Sequence, residues 1–93
     1  LKEIAAKIPK EIDWVLRVDG HTDRRPIKTP EFPSNWELST ARALSAVKFL
    51  ISQGIPAKRL AATGFGQFQP LAPGKDAASY EKNRRLELKF TQR

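Results

Sequence analysis

The sequence predicts an α/β (α+β) two-layer sandwich built as a single domain, and three observations carry that prediction. Runs with period-two alternation and runs with helical spacing follow one another along the chain, which implies helices crossing over a sheet. A chain of 93 residues supplies one hydrophobic core and not two. Hydrophobic residues at 40% and charged residues at 29% sit near globular averages, which excludes disordered and fibrous classes.

Taken in order, Leu1, Ile4, Ala5 and Ile8 recur at spacings of three and four, predicting an amphipathic helix that Pro9 ends. Because the chain opens on Leu1 inside that run, the expected domain, residues 1–93, is N-terminally truncated. In "WVLRVDGH", Trp14, Leu16 and Val18 alternate with Val15 and Arg17, predicting a strand over about 13–21. Gly20 lies near its end, where a missing Cβ lets another backbone or a ligand come close. Residues 23–33 hold prolines at 26, 30 and 33 without periodicity, the mark of a loop or lid.

"SNWE" then announces a helix: Ser34 as N-cap with Glu37 three residues on is a capping box, in which each side chain satisfies a backbone donor. Leu38, Ala41, Leu44, Val47, Leu50 and Ile51 form the expected apolar stripe, and Gly54 ends it. "LAATGFG" predicts a second strand, with Phe65 and Phe68 packed under the loop that follows. Asp76 is placed to cap a short helix through about Asn83. In "RRLELKFTQ", Leu86, Leu88 and Phe90 alternate with Glu87 and Lys89, predicting a half-buried strand with its apolar face inward.

The formal net charge of +7 and a sequence pI near 10.2 attract polyanions, among them nucleic acid, acidic lipid surfaces and anionic cell-wall polymers. The absence of cysteine excludes a disulfide scaffold and a thiolate zinc site. No apolar run approaches the ~18 residues that span a bilayer.

Asp19, His21 and Asp23 stand at alternate positions, and a strand would project all of them to one side. As a metal site they are short of ligands, since His21 is the one histidine, so no metal and no cofactor are expected. The plainer reading makes Asp19 and His21 a hydrogen-bonded strand end. Asp23 falls where the strand gives way to a loop, and is either a binding residue or a turn cap with Thr22. Arg42 borders the helix stripe, either solvated or offering its planar guanidinium to a carboxylate. Asp23 and Arg42 together form either a clamp for a zwitterion or a structural salt bridge. "NRR" at 83–85 opens the last strand near Lys75, Lys82 and Lys89, a generic basic patch for nucleic acid, but the long helix offers mainly Arg42 and Lys48 and the aromatic residues sit in apolar stripes expected to face the core. With no G-x-S-x-G, cysteine nucleophile or phosphate loop, an enzyme is not expected.

Together, "DGHTDRRPI", "FPSNWELSTARALSAVKFLISQGIPAKRLAATGFGQFQP" and "EKNRRLELKF" are similar to the OmpA-like peptidoglycan-binding domain, and "FPSNWELSTARA" most resembles its MotB-type flagellar stator branch. The resemblance runs from about Val18 to Phe90. It implies a βαβαβ arrangement with helices on one face of a mixed sheet, and a first strand that is missing here. It implies non-catalytic binding of peptidoglycan through the diaminopimelate of the stem peptide, with ligand contacts from Asp23, Arg42, Asn35 and Arg84. Thr22, Gly20, Asn83 and Ser34 support that site. The implied setting is the periplasm of a Gram-negative-type cell, in a membrane-anchored parent that is a possible homodimer. Polyanion binding driven by net charge, and a metal-dependent hydrolase using Asp19, His21 and Asp23, are the competing readings.

Overall fold

The computed structural model describes residues 14–92, so the helix expected over 1–8 lies outside the described residues. The elements follow the predicted order: β1 (Trp14–His21), α1 (Asn35–Ser52), a 3-10 turn (Ala57–Arg59), β2 (Leu60–Gly64), α2 (Ala77–Asn83) and β3 (Arg85–Gln92). The three described strands form one mixed sheet in the order β2-β1-β3. β1 runs parallel to β2, with Gly20 opposite Gly64, and antiparallel to β3, with His21 opposite Arg85.

β1 is central because it carries the continuous apolar face. Leu16 and Val18 are fully buried and join Trp14, Ala43, Val47, Leu50 and Ile55 in the core. α1 lies across β1 and β2 and makes the extended helix-to-sheet contact of the fold. Its start is set by Ser34, whose Oγ accepts from the Trp36 N–H at 3.2 Å and donates to the Glu37 carboxylate. The capping box therefore closes through the serine hydroxyl and not through a glutamate-to-backbone bond. Its end is a Schellman arrangement: Ile55 N–H donates to Leu50 C=O at 3.2 Å and Gly54 N–H to Ile51 C=O at 3.0 Å, with Gly54 at φ 101°.

The buried stripe of α1 shares Val47 and Leu50 with the one its apolar residues suggested and departs from it elsewhere. Asn35, Ser39, Ala43, Val47 and Leu50 face inward, while Leu44 and Ile51 are 44% and 42% exposed. The reason lies in the sheet beneath. A Cβ on Gly20 would lie 2.1 Å from the Ser39 carbonyl oxygen, and one on Gly64 would lie 2.1 Å from Thr40 Oγ1. These paired glycines let the first turns of α1 settle onto the strands, and at that separation only small side chains fit.

β3 also departs from expectation. Leu88 packs on the core, but Leu86 and Phe90 are 45% and 54% exposed among the described residues. β3 is the sheet neighbour of β1 on the side away from β2, and α1 covers β1 and β2. Phe90 instead meets Trp14 edge to face, with ring centroids 6.0 Å apart.

Candidate functional site

The carboxyl end of β1 meets the beginning of β3 because the two pair antiparallel, and the first turns of α1 close the third side. At this junction lies a cavity of about 320 Å³ lined by Asp23, Arg25, Asn35, Leu38, Arg42 and Arg84, with Thr22, Pro26 and Ile27 at its edge. A crevice beyond the carboxyl ends of strands is where open α/β sheets hold ligands.

Asp23 is its one carboxylate and is nearly buried, with its side chain 7% exposed. Oδ2 accepts from Arg25 Nη2 at 2.5 Å, Arg25 Nε at 3.1 Å and Arg84 Nη1 at 2.8 Å, and Oδ1 accepts from the Arg25 backbone N–H at 2.9 Å. The hydrogen bond from Arg25 above all, joined by that from Arg84 against the opposing effect of burial, pulls the carboxyl down to about 2. Arg25 also lies over the Tyr80 ring, its guanidinium carbon 4.6 Å from the centroid, so it spans from the loop to α2.

The expected site residues divide on inspection. Asp23, Arg42, Asn35 and Arg84 are brought to one cavity, and Arg42 reaches it from the exposed side of α1. The salt bridges that Asp23 makes go to Arg25 and Arg84, not to Arg42. Asn35 spends its amide on scaffolding: Nδ2 donates to Gln67 Oε1 at 2.8 Å and to Arg25 C=O at 3.1 Å, tying the 24–33 loop, α1 and the turn after β2 together. Thr22 lines the cavity edge, and its N–H donates to Gly66 C=O at 2.9 Å.

Gly20, Ser34 and Asn83 act at a distance. Gly20 makes room for α1 and not for a ligand. Ser34 caps α1. Asn83 is buried, and its Oδ1 accepts from Leu71 and Ala72 N–H while Nδ2 donates to Ala72 C=O, pinning the loop before α2. Asp76 stands at the N-cap of α2 and accepts from the Ser79 hydroxyl at 2.6 Å. Arg25 escaped the sequence reading as a site residue. It stands beside a second arginine in a proline-rich loop, and nothing periodic links it to Asp23.

Asp19 and His21 do not form the hydrogen-bonded pair that their spacing suggested. Asp19 is fully buried and takes both Arg17 Nε and Nη2, at 2.7 and 3.0 Å, with Lys89 Nζ at 3.7 Å. His21 stacks flat on Phe65 at 5.1 Å, and both of its ring nitrogens are buried without a hydrogen-bond partner. Glu87 Oε2 stays 3.9 Å from Nε2, held to Arg85. Among the described residues no group of three acidic, histidine or cysteine side chains could hold a metal ion. Phe68, expected under the following loop, stacks on Trp36 and is 58% exposed.

Among the described residues no protein group lies within hydrogen-bond reach of the ring nitrogens of His21. Burial first, then the Arg85 charge, depresses its pKa below 6.5, so the folded chain resists a proton that the unfolded chain accepts. Stability should decline as pH falls below 6.5. Replacing His21 by Phe keeps the stack and removes two unsatisfied nitrogens. His21→Phe is expected to gain about 1 kcal/mol at pH 7 in urea unfolding, and the gain should widen at pH 5.5.

The fold and cavity together define a small two-layer α+β domain with a charged pocket at the carboxyl end of its central strand. The chain belongs to the OmpA family, whose profile matches residues 1–84. It is 44% identical over 72 residues to motility protein B of Bacillus subtilis (strain 168), covering 76% of this chain and 28% of that protein. It is 38% identical over 87 residues to the peptidoglycan-associated lipoprotein of Pseudomonas aeruginosa, covering 94% of this chain and 49% of that protein. The crystal structure of the periplasmic domain of Helicobacter pylori MotB matches with a TM-score of 0.86 at 32% identity, over 98% of this chain and 55% of that one. This chain thus spans less than half of each of these two curated relatives. Among the described residues no helix is long and apolar enough to cross a membrane.

Proposed function

We propose that this domain binds peptidoglycan without catalysis, gripping the free end of the stem-peptide diaminopimelate and so anchoring its parent protein to the cell wall. The observation that carries the reading is a nearly buried carboxylate, Asp23, sharing one cavity with the guanidiniums of Arg42 and Arg84. Diaminopimelate presents an ammonium and a carboxylate on one carbon, a zwitterion absent from peptide-linked residues. Asp23 accepts from the ammonium, while Arg42 takes the carboxylate bidentately at the positive end of α1. Neither contact is strong alone in water. Together they read both charges, because a desolvated charge left without its partner costs on the order of 1–3 kcal/mol or more.

Kinship with a peptidoglycan-associated lipoprotein and with MotB proteins supports this reading, and the periplasm is the setting it proposes. A flagellar stator subunit is one such parent, an envelope lipoprotein another. The test is calorimetric titration with a diaminopimelate stem tripeptide. Asp23→Ala and Arg42→Ala, each checked for folding by circular dichroism, are expected to lose at least about tenfold in affinity. Unchanged affinity in both would remove the clamp. If the +7 charge alone drove binding to a polyanion, affinity would instead fall steeply with salt and ignore Asp23.

A further inference from the structure

Most of the carboxylate that is to receive an ammonium is already taken. A carboxylate offers about four acceptor positions, two on each oxygen, and the four donors on Asp23, three from Arg25 and one from Arg84, place three on Oδ2 and one on Oδ1. An ammonium that seats on Oδ2 therefore exchanges for a donor already in place. The Arg25 backbone N–H belongs to the turn that shapes the loop, and Arg84 is fixed by the start of β3, with its side chain 36% exposed. The Arg25 guanidinium is the one that leaves most readily. Its side chain is 55% exposed, it stands on a loop outside the strand ladder, and the Tyr80 ring holds it near the cavity once it lets go.

We propose that Arg25 is the specificity-determining side chain of this site: its guanidinium fills the ammonium seat on Asp23 and yields it only to a ligand whose carboxylate it then takes up alongside Arg42, in the acceptor positions that Arg42 leaves open. This rests on the zwitterion reading given above. For a ligand with an amine alone, the exchange replaces one half-exposed ion pair with another and strands a guanidinium beside Arg42 and Arg84, so nothing is gained. For a zwitterion, the released guanidinium finds the ligand carboxylate and the count of ion pairs rises by one. One carboxylate set against three guanidiniums also disfavours bare cations throughout the cavity. Arg25 thus turns Asp23 from a general cation receptor into one that answers to paired charges.

The experiment compares a stem tripeptide ending in meso-diaminopimelate with the same peptide ending in lysine, which lacks the second carboxylate, on the wild-type protein and on Arg25→Gln. Wild type is expected to prefer the diaminopimelate peptide. In Arg25→Gln the lysine peptide should bind more tightly, and the ratio of the two affinities should shrink by about fivefold, the worth of one exposed ion pair. The Asp23 carboxyl, followed by NMR, should titrate above its wild-type value of about 2 in the same variant. If wild type prefers diaminopimelate but the ratio is unchanged in Arg25→Gln, or the Asp23 titration does not move, the role of Arg25 is overturned while the binding function stands. A wild-type protein that binds neither peptide overturns both.

Discussion

Gly20→Ala is expected to cost the domain about 3 kcal/mol or more, enough to lower its unfolding temperature by well over ten degrees. The added methyl would stand 2.1 Å from the carbonyl oxygen of Ser39 and 3.0 Å from its carbon. Both belong to helix backbone, so no rotamer change relieves the overlap. α1 has to rise from the sheet, and the fully buried Leu16, Val18, Ala43 and Leu50 lose their packing with it. Gly54→Ala is the informative comparison. Its Cβ meets nothing within 4 Å, and only the left-handed φ of 101° is strained, so about 1 kcal/mol is expected. Urea unfolding of both variants separates steric exclusion from backbone strain: equal losses would mean that the glycine floor does not control the approach of α1.

The second large effect is acid instability centred on Asp23. Its carboxyl titrates near 2 in the folded chain against 3.8 ordinarily, and its side chain is 7% exposed. A depressed carboxyl contributes stability that is fully present above about pH 4 and lost as pH falls through the folded value near 2. The difference corresponds to roughly 2 kcal/mol. Asp23→Asn should lose about that amount at pH 7 and should flatten the decline between pH 4 and pH 2. This window lies below the one set by His21, which opens at 6.5, so double substitution with His21→Phe should remove the two declines separately. A variant carrying Asp23→Asn whose acid limb stays as steep as wild type would show that the ion pairs with Arg25 and Arg84 contribute nothing.

What could be read from the sequence was what local chemistry announces. Ser34 and Glu37 mark the start of α1 and Gly54 its end, because capping and left-handed closure need particular side chains at particular spacings. β1 shows itself through alternation, Asp23 and Arg42 stand out as candidates by position and chemistry, and Asn35 and Arg84 came from family resemblance. The inward face of α1 was hidden for a physical reason. Hydrophobicity points to Leu44 and Ile51, but proximity to Gly20 and Gly64 admits Ser39 and Ala43 in their place, and that proximity belongs to the fold. Arg25 was hidden similarly, since a loop arginine two residues from an aspartate has no period to betray it. The isolation of the His21 nitrogens depends on how Glu87 is drawn to Arg85 on another strand.

The pairing of His21 with Arg85 has a consequence for how such a chain tolerates change in length. Asp23 and Arg84 meet across the sheet, from sites 61 positions apart, because each lies just beyond that rung of the ladder. Residues gained or lost in the loops at 24–33 or 65–75 leave the rung where it is. A single residue inserted early in β3 would put a different side chain opposite the end of β1 and turn its neighbours to the other face. Descendants of this domain can therefore lengthen these loops between the residues that Asp23, Asn35 and Asn83 hold, while the few positions that join β1 to β3 are held to a fixed count.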